Sequence, residues 1–254
     1  MRVAVTGAAG NVGREAVAAL DDHDVTALTH HEHDDMESDL LEVTDYEAVR
    51  AALDGQDAVV HLAANPSPGA SWESAHEVNI GGTYNVFEAA REAGCDRVVF
   101  ASTNHVTQMY GIDDPSRPET MAADAPTVRP DAPPRPDSFY GVSKVTGEAL
   151  GTYYHDRYGM EVVNLRIGWL LDPADLREKH REEEASVARY ARAMWLSPRD
   201  CRAAVRRSVE ADLADGLATV NAVSRNAERY LSVTETMRRL DYRPRDDSSE
   251  QTEG

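Results

Sequence analysis

Apolar positions along the first two thirds of the chain fall into two alternating spacings. Short apolar runs at Arg2–Thr6, Val25–Leu28, Ala58–Ala63, Arg97–Ala101 and Glu161–Ile167 read as strands. Such runs, apolar on both faces, suit strands buried in a parallel sheet. Between them the apolar residues recur at three and four. Asn11–Leu20 puts Val12, Ala16, Ala19 and Leu20 on one stripe, and Asp45–Leu53 has Thr44 or Asp45 as its cap. Glu77–Ala93 and Tyr140–Tyr158 are longer helices of the same kind. Strand and helix in strict alternation predict an α/β fold, a doubly wound parallel sheet.

The pattern lapses in two places. Gly111–Asp137 is rich in proline and charge and has no period, so it is expected to be a lid before the helix that starts at Tyr140. After Ile167 the signal weakens. Leu176–Ala193 is charged and helical toward its end, while Pro198–Ala211 and Val233–Leu240 read as helices. The polar tail from Arg245 is expected to be disordered. The chain thus divides into a main domain, 1–168, a small C-terminal lobe, 169–245, and a tail, 246–254. No internal repeat is present.

Charge narrows the function classes. A net charge of −19 over 254 residues excludes nucleic acid as a partner, because phosphate backbones need basic patches. Lysine occurs only at Lys144 and Lys179; every other cation is arginine. An acidic surplus with so little lysine points to a protein adapted to molar salt, where screening suppresses self-repulsion. Cys95 and Cys201 have no metal-ligand spacing and read as free thiols, and no metal site is expected. No run is long enough to span a membrane and no leader pattern opens the sequence, so a cytoplasmic location is expected.

Two constellations carry chemistry. Gly7, Gly10, Asn11, Val12 and Gly13 follow the first strand and open the first helix. Glycines there let the backbone approach a pyrophosphate, and the helix N-terminus supplies amide donors. The next strand ends at Thr29, where an acid would bind the ribose diol of NAD, so the residues leave NAD and NADP equally open. Second, Tyr140 and Lys144 lie four apart on one helix face. A neighbouring ammonium favours the phenolate, moving a phenol toward use as a general base. A lysine kept in a chain that otherwise uses arginine is a sign of function, since the two cations are not interchangeable.

With these pieces assembled, the chain resembles the extended short-chain dehydrogenase/reductases, the NAD-dependent epimerase/dehydratase family. The matching segments are Thr6–Gly13, His61–Ala64, Asn79–Thr83, Ala101–His105 and Tyr140–Lys144. Within the family, Phe100–Val106, Arg166–Gly168 and Ala193–Ser197 are similar to uronate dehydrogenases and haloarchaeal NAD-dependent glucose-6-phosphate dehydrogenases. The resemblance implies a Rossmann fold with a substrate lobe and oxidation of the anomeric C1 hydroxyl of an aldose, sugar phosphate or uronate to a lactone.

It also implies roles. Thr103 would hold the reacting oxygen, Tyr140 would be the base, Lys144 would tune it, and Asn79 would complete the catalytic set. The cofactor would touch Gly7, Gly10, Asn11, Val12, Gly13, Thr29, Glu42, Leu62, Ala63, Ala64, Asn79, Tyr140, Lys144 and Ile167. The sugar would touch Ser67, Thr103, Asn104, His105, Tyr140 and Trp169. A homodimer or homotetramer is implied, paired through Thr83–Ala93 and Tyr140–Tyr158 by Val86, Phe87, Ala90, Leu150 and Tyr154.

Two positions depart from that branch. Trp169 stands where it has a small polar residue, and Tyr190 where it has an arginine, with Arg189 and Arg192 alongside. Bidentate anion binding wants a placed guanidinium, so a neutral pentose or hexose gains ground. A nucleotide-sugar epimerase or dehydratase is the alternative, although little chain follows Arg166–Gly168 to build its larger substrate lobe. A non-catalytic dinucleotide sensor would be expected to have lost Tyr140 or Lys144.

Overall fold

The computed structural model describes residues 1–252. Seven strands form one wholly parallel sheet: β1 (Arg2–Thr6), β2 (Asp24–Thr29), β3 (Asp39–Leu40), β4 (Ala58–His61), β5 (Arg97–Thr103), β6 (Glu161–Ile167) and β9 (Leu217–Ala222), in the order β3-β2-β1-β4-β5-β6-β9. Strand order reverses at β1, so the crevice above the carboxyl ends of β1 and β4 is the topological switch point where such sheets bind ligands. The doubly wound sheet is therefore as expected.

Each face carries a helical layer. On one side α1 (Asn11–Ala19) and α8 (Pro198–Glu210) pack with Val3, Val5, Val60, Val163 and Val220 in a core cluster. On the other side α2 (Tyr46–Leu53) and α4 (Gly82–Ala93) cover Ala4, Val59, Val98 and Phe100, together with Tyr154 of α5 (Phe139–Tyr158). The apolar faces expected at a dimer interface are spent here: Val86, Phe87, Ala90 and Tyr154 are buried within the chain. The large residues left exposed on α4 and α5 are Tyr84, Phe139, Tyr153 and Tyr158.

The helix expected over Glu77–Ala93 is broken at its start. The short α3 (Trp72–Ser74) runs into a π-helix, Ala75–Gly81, before α4 begins. Beyond β6, a two-stranded ribbon pairs β7 (Trp169–Leu170) with β8 (Trp195–Leu196). The charged segment becomes two helices, α6 (Pro173–Glu182) and α7 (Ala185–Met194), and α9 (Thr234–Leu240) follows β9.

Gly111–Asp137 has no helix or named strand, as its composition predicts, but it is pinned. Val128 pairs with Leu231, the Gln108 side chain donates to the Thr120 carbonyl at 3.0 Å, and Met121 and Val128 are buried. The tail departs from expectation. The backbone amides of Arg245 and Asp246 donate to the buried carboxylate of Asp200 at 2.9 and 3.1 Å, and Ser248–Thr252 form the helix α10. A polar segment folds when buried polar groups await it, and Asp200 and Asn226 provide those partners. The last two residues, expected with the tail to be disordered, lie outside the described residues.

Candidate active site

A cavity of about 730 Å³ runs across the carboxyl ends of the strands. At one end lies the glycine loop. Gly7 has φ +68°, and a Cβ on it would fall 2.8 Å from the Ala63 nitrogen; a Cβ on Gly13 would fall 2.2 Å from the Gly7 carbonyl oxygen. The loop is thus packed against Leu62 and Ala63 more closely than any side chain permits. No side chain caps α1, so its first amides stay free for an anion. Gly7, Gly10, Asn11, Val12, Gly13, Leu62, Ala63 and Ala64 all line the cavity, which fits a dinucleotide at this end.

Beneath the loop sits His61. Its Nδ1 meets Thr6 Oγ1 at 2.8 Å and its Nε2 meets Thr83 Oγ1 at 3.1 Å. Burial, helped by the charge of Lys144, pushes it down to about 3, so it is a neutral strut tying β1, β4 and α4.

The adenosine end of the cavity is lined by Thr29, His30, His31 and His33. Thr29 is buried, and its hydroxyl is committed to the His31 carbonyl and the Ser38 hydroxyl, each at 2.8 Å. Glu42, expected to contact the cofactor, is not in the lining. It is exposed, and its carboxylate pairs with His30 Nε2 at 2.9 Å. The register explains this: β3 stops at Leu40, and Leu41 and Val43 turn into the core, leaving Glu42 outward.

The reacting end is built by three elements. β5 delivers Ser102 and Thr103, α5 delivers Tyr140 and Lys144, and β6 ends at Ile167 beside Gly168; all line the cavity. Ser138 caps α5 by accepting from the Gly141 amide at 3.1 Å, which fixes where the helix starts and hence where Tyr140 points. Below, Glu148 takes both ends of the Arg166 guanidinium at 2.7 Å and the Ser102 hydroxyl at 2.5 Å, locking β5, α5 and β6 together. The same arginine donates to the Pro130 carbonyl at 3.1 Å and so holds the proline-rich segment.

The charge states differ from the sequence-based picture. Burial pushes Tyr140 up to about 12, against the pull of the nearby Thr103 hydroxyl, and Asp137 adds to the rise. Burial alone pushes Lys144 down to about 7. Desolvation therefore sets the direction for both groups, opposite to the lowering expected on the phenol. Lys144 still stacks its ammonium 5.8 Å from the centre of the Tyr140 ring.

Asn79, placed by sequence among catalytic and cofactor contacts, does not line the cavity. The π-helix turns its side chain inward, where it accepts from the Asn65 amide at 2.8 Å and donates to the Asn65 carbonyl and Ser143 Oγ at 3.1 Å. Ser143 Oγ in turn donates to the Tyr140 carbonyl at 2.7 Å. Asn79 is a clasp between the β4 loop and α5. Ser67 also falls outside the lining, between Pro66 and Pro68, which lie within it; its hydroxyl accepts from the Gly69 amide at 3.2 Å.

The remaining end is lined by Asn104, His105, Trp169 and Tyr190, with Glu119 reaching in from the proline-rich segment. Asn104 Nδ2 donates to the buried Tyr190 hydroxyl at 2.8 Å, and the Trp169 and Tyr190 rings are 5.5 Å apart. Neither flanking arginine serves here. Arg189 donates to the Met121 carbonyl, and Arg192 is held by Glu228 and His180. Among the described residues no arginine lines the cavity. Sequence reasoning missed Glu119 and His33, because neither stands in a motif and only the fold brings them to the crevice. Asp22, His23 and Glu210 gather at the surface outside this lining, where Arg206 pairs with both carboxylates.

Comparison with known proteins agrees with this geometry. The chain is 64% identical over 249 residues to an L-arabinose 1-dehydrogenase (NAD(P)(+)) of Haloferax volcanii, covering 98% of each. It is 37% identical to an NAD-dependent glucose-6-phosphate dehydrogenase of the same organism, over 98% of this chain and 95% of that one. A glucuronic acid dehydrogenase structure from Chromohalobacter salexigens superposes with TM-score 0.82 at 30% identity, over 99% of this chain and 87% of that one. The model of the NAD dependent epimerase/dehydratase family matches residues 3–227, from the first strand through the whole crevice, and the chain belongs to that family.

Proposed function

We propose that this chain is an NAD(P)-dependent aldose 1-dehydrogenase whose substrate is a neutral sugar, foremost a pentose of the L-arabinose kind. One observation carries the choice of sugar: the pocket beyond Tyr140 presents Asn104, His105, Trp169 and Tyr190 but, among the described residues, no guanidinium. An anionic sugar buried there would lack its partner, whereas hydroxyls find donors and acceptors. The 64% identity to an L-arabinose 1-dehydrogenase supports the same reading.

The dinucleotide would be held by the Gly7–Gly13 loop and the free amides of α1, with Lys144 toward the nicotinamide ribose. When bound, the dinucleotide would supply the acceptor for the hydride that leaves C1. Thr103 holds the C1 oxygen by hydrogen bonding, and Tyr140 takes its proton. Lys144, buried one helical turn away, stabilises the phenolate that this base requires. Trp169 and Tyr190 shield the sugar from water.

We read residues 1–168 as the cofactor domain, 169–245 as the sugar lobe, and the protein as a cytoplasmic homodimer. The exposed aromatic residues Tyr84, Tyr153 and Tyr158 of α4 and α5 support the pairing of these helices. The test is a panel of aldoses, sugar phosphates and uronates with each cofactor in high KCl, following absorbance of the reduced nicotinamide. L-Arabinose should give stoichiometric accumulation of reduced cofactor. Preference for a uronate or phosphate would overturn the neutral-sugar reading, and no net reduction with any sugar would favour an epimerase.

A further inference from the structure

The Asp137 side chain is fully enclosed, 0% exposed, and sits at the last position of the proline-rich segment, just before the cap of α5. Its Oδ2 lies 2.7 Å from His105 Nδ1, and its Oδ1 accepts from the Ser138 hydroxyl at 2.9 Å. The contact is built, not incidental: a Cβ on Gly141 would fall 2.7 Å from the His105 carbonyl oxygen and 3.3 Å from Asp137 Oδ1. Only a glycine on α5 lets the histidine and the carboxylate approach that helix together.

We infer that Asp137 is a positioning residue: it decides which nitrogen of His105 carries the proton, and so makes Nε2 the acceptor for one sugar hydroxyl. A carboxylate oxygen only accepts, so Nδ1 must donate, and in the neutral ring Nε2 is left with its lone pair. His105 lines the cavity, and its Nε2 has the Tyr190 hydroxyl as a distant neighbour at 3.4 Å. That hydroxyl already accepts from Asn104. A 3.4 Å contact is at the weak end for a hydroxyl donor, so Nε2 has capacity for a better one. The His105 ring stands edge-on to Tyr140, with centres 5.8 Å apart, which places the acceptor beside the base. This inference rests on the neutral-sugar reading above and assigns that site a hydroxyl-reading group.

Two measurements test it on the full-length enzyme. Long-range nitrogen–proton NMR reads the His105 tautomer without any substrate. The wild type should show Nδ1–H, and Asp137→Asn, whose amide can donate to Nδ1, should shift the ring toward Nε2–H. An unchanged tautomer overturns the inference whatever the enzyme oxidises. Kinetics follow on L-arabinose and its singly deoxygenated analogues. Asp137→Asn should lower kcat/KM on L-arabinose by about tenfold to a hundredfold, the worth of one hydrogen bond to a buried acceptor. It should do so while losing discrimination against one analogue only, with NADH affinity unchanged. His105→Phe should lose the same discrimination, and the double variant should be no worse than His105→Phe alone. An equal loss on every analogue, or full additivity in the double variant, overturns the assignment. If the tautomer behaves as stated and no aldose is oxidised, the sugar reading and this hydroxyl role fail together, and the tautomer assignment stands. Should Asp137→Asn not fold, the wild-type tautomer and the analogue pattern of His105→Phe decide.

Discussion

Lys144 rests its ammonium 4.9 Å above the centre of the Phe100 ring, so this buried lysine has an aromatic face as its floor. That floor is itself held from below. A Cβ on Gly147, one turn along α5, would fall 2.2 Å from the Phe100 ring. Gly147→Ala should therefore force Phe100 upward and destabilise the fold by about 1–3 kcal/mol, as overpacking of a core does. Thermal unfolding in high KCl measures it, and a midpoint equal to wild type would show that the ring has somewhere else to go.

Removing the proposed base without removing its ring isolates the chemistry. Tyr140→Phe should lower kcat on L-arabinose by about 10²–10⁴-fold, the usual worth of general base catalysis. NADH binding, followed by fluorescence, should change little. Lys144→Met should damage both, since Lys144 is assigned to the ribose as well as to the phenol. Near-normal turnover in Tyr140→Phe would remove α5 from the mechanism.

Burial of these two groups also makes cofactor-free stability depend on pH in a defined way. Lys144 titrates at about 7 in the fold, against 10.5 in an unfolded chain. Between those values the unfolded chain binds more protons, so this group makes stability rise with pH. Tyr140 is raised from 10.0 to about 12, so between those values the folded chain holds the proton, and stability falls as pH rises. The buried thiols Cys95 and Cys201, raised from 9.0 to about 11 and about 12, add to that fall from pH 9, so melting temperature against pH should rise from neutral toward 9 and then decline. Lys144→Met should flatten the rise and leave the decline.

Cofactor choice turns on the end of β2. Thr29 gives no carboxylate to a ribose diol, and three histidines line the same end of the cavity. Thr29→Asp should move kcat/KM toward NAD and against NADP, because a carboxylate there binds the diol and repels a 2′-phosphate. An unchanged ratio of the two would place discrimination elsewhere, with the histidines as the next candidates.

Salt should matter to the whole molecule. A net charge of −19 repels itself, and that repulsion is screened over about 10 Å at 0.1 M salt and about 3 Å at 1 M. The unfolding midpoint should climb from low to molar KCl.

Much of this was legible before any coordinates. The runs that became β1, β2, β4, β5 and β6 announce themselves because both faces of those strands are buried, and Gly7–Gly13 and Tyr140–Lys144 sit where such strands place them. What the sequence leaves unread shares a cause. Asn79 and Glu42 occupy motif positions, yet beside a π-helix and a two-residue strand their side chains lie outside the cavity lining. Asp137 and His105 are 32 residues apart, and no local period links them. The tail from Arg245 folds because of Asp200, a residue whose burial only the tertiary structure reveals.

The scarcity of lysine gives the chain an experimental handle. Of the two side-chain amines, Lys144 is enclosed and Lys179 is about one-third exposed. Lys179 lies on α6 with its ammonium 5.6 Å from the ring of Trp169, on the wall of the cavity. An amine-reactive dye should therefore attach at Lys179 and at the chain's amino terminus and at no other site. Dye at Lys179 would be quenched by that indole, and its brightness would change as a sugar displaced Trp169. The same sparseness of lysine thus leaves one addressable side-chain amine, and it stands beside a tryptophan of the cavity wall.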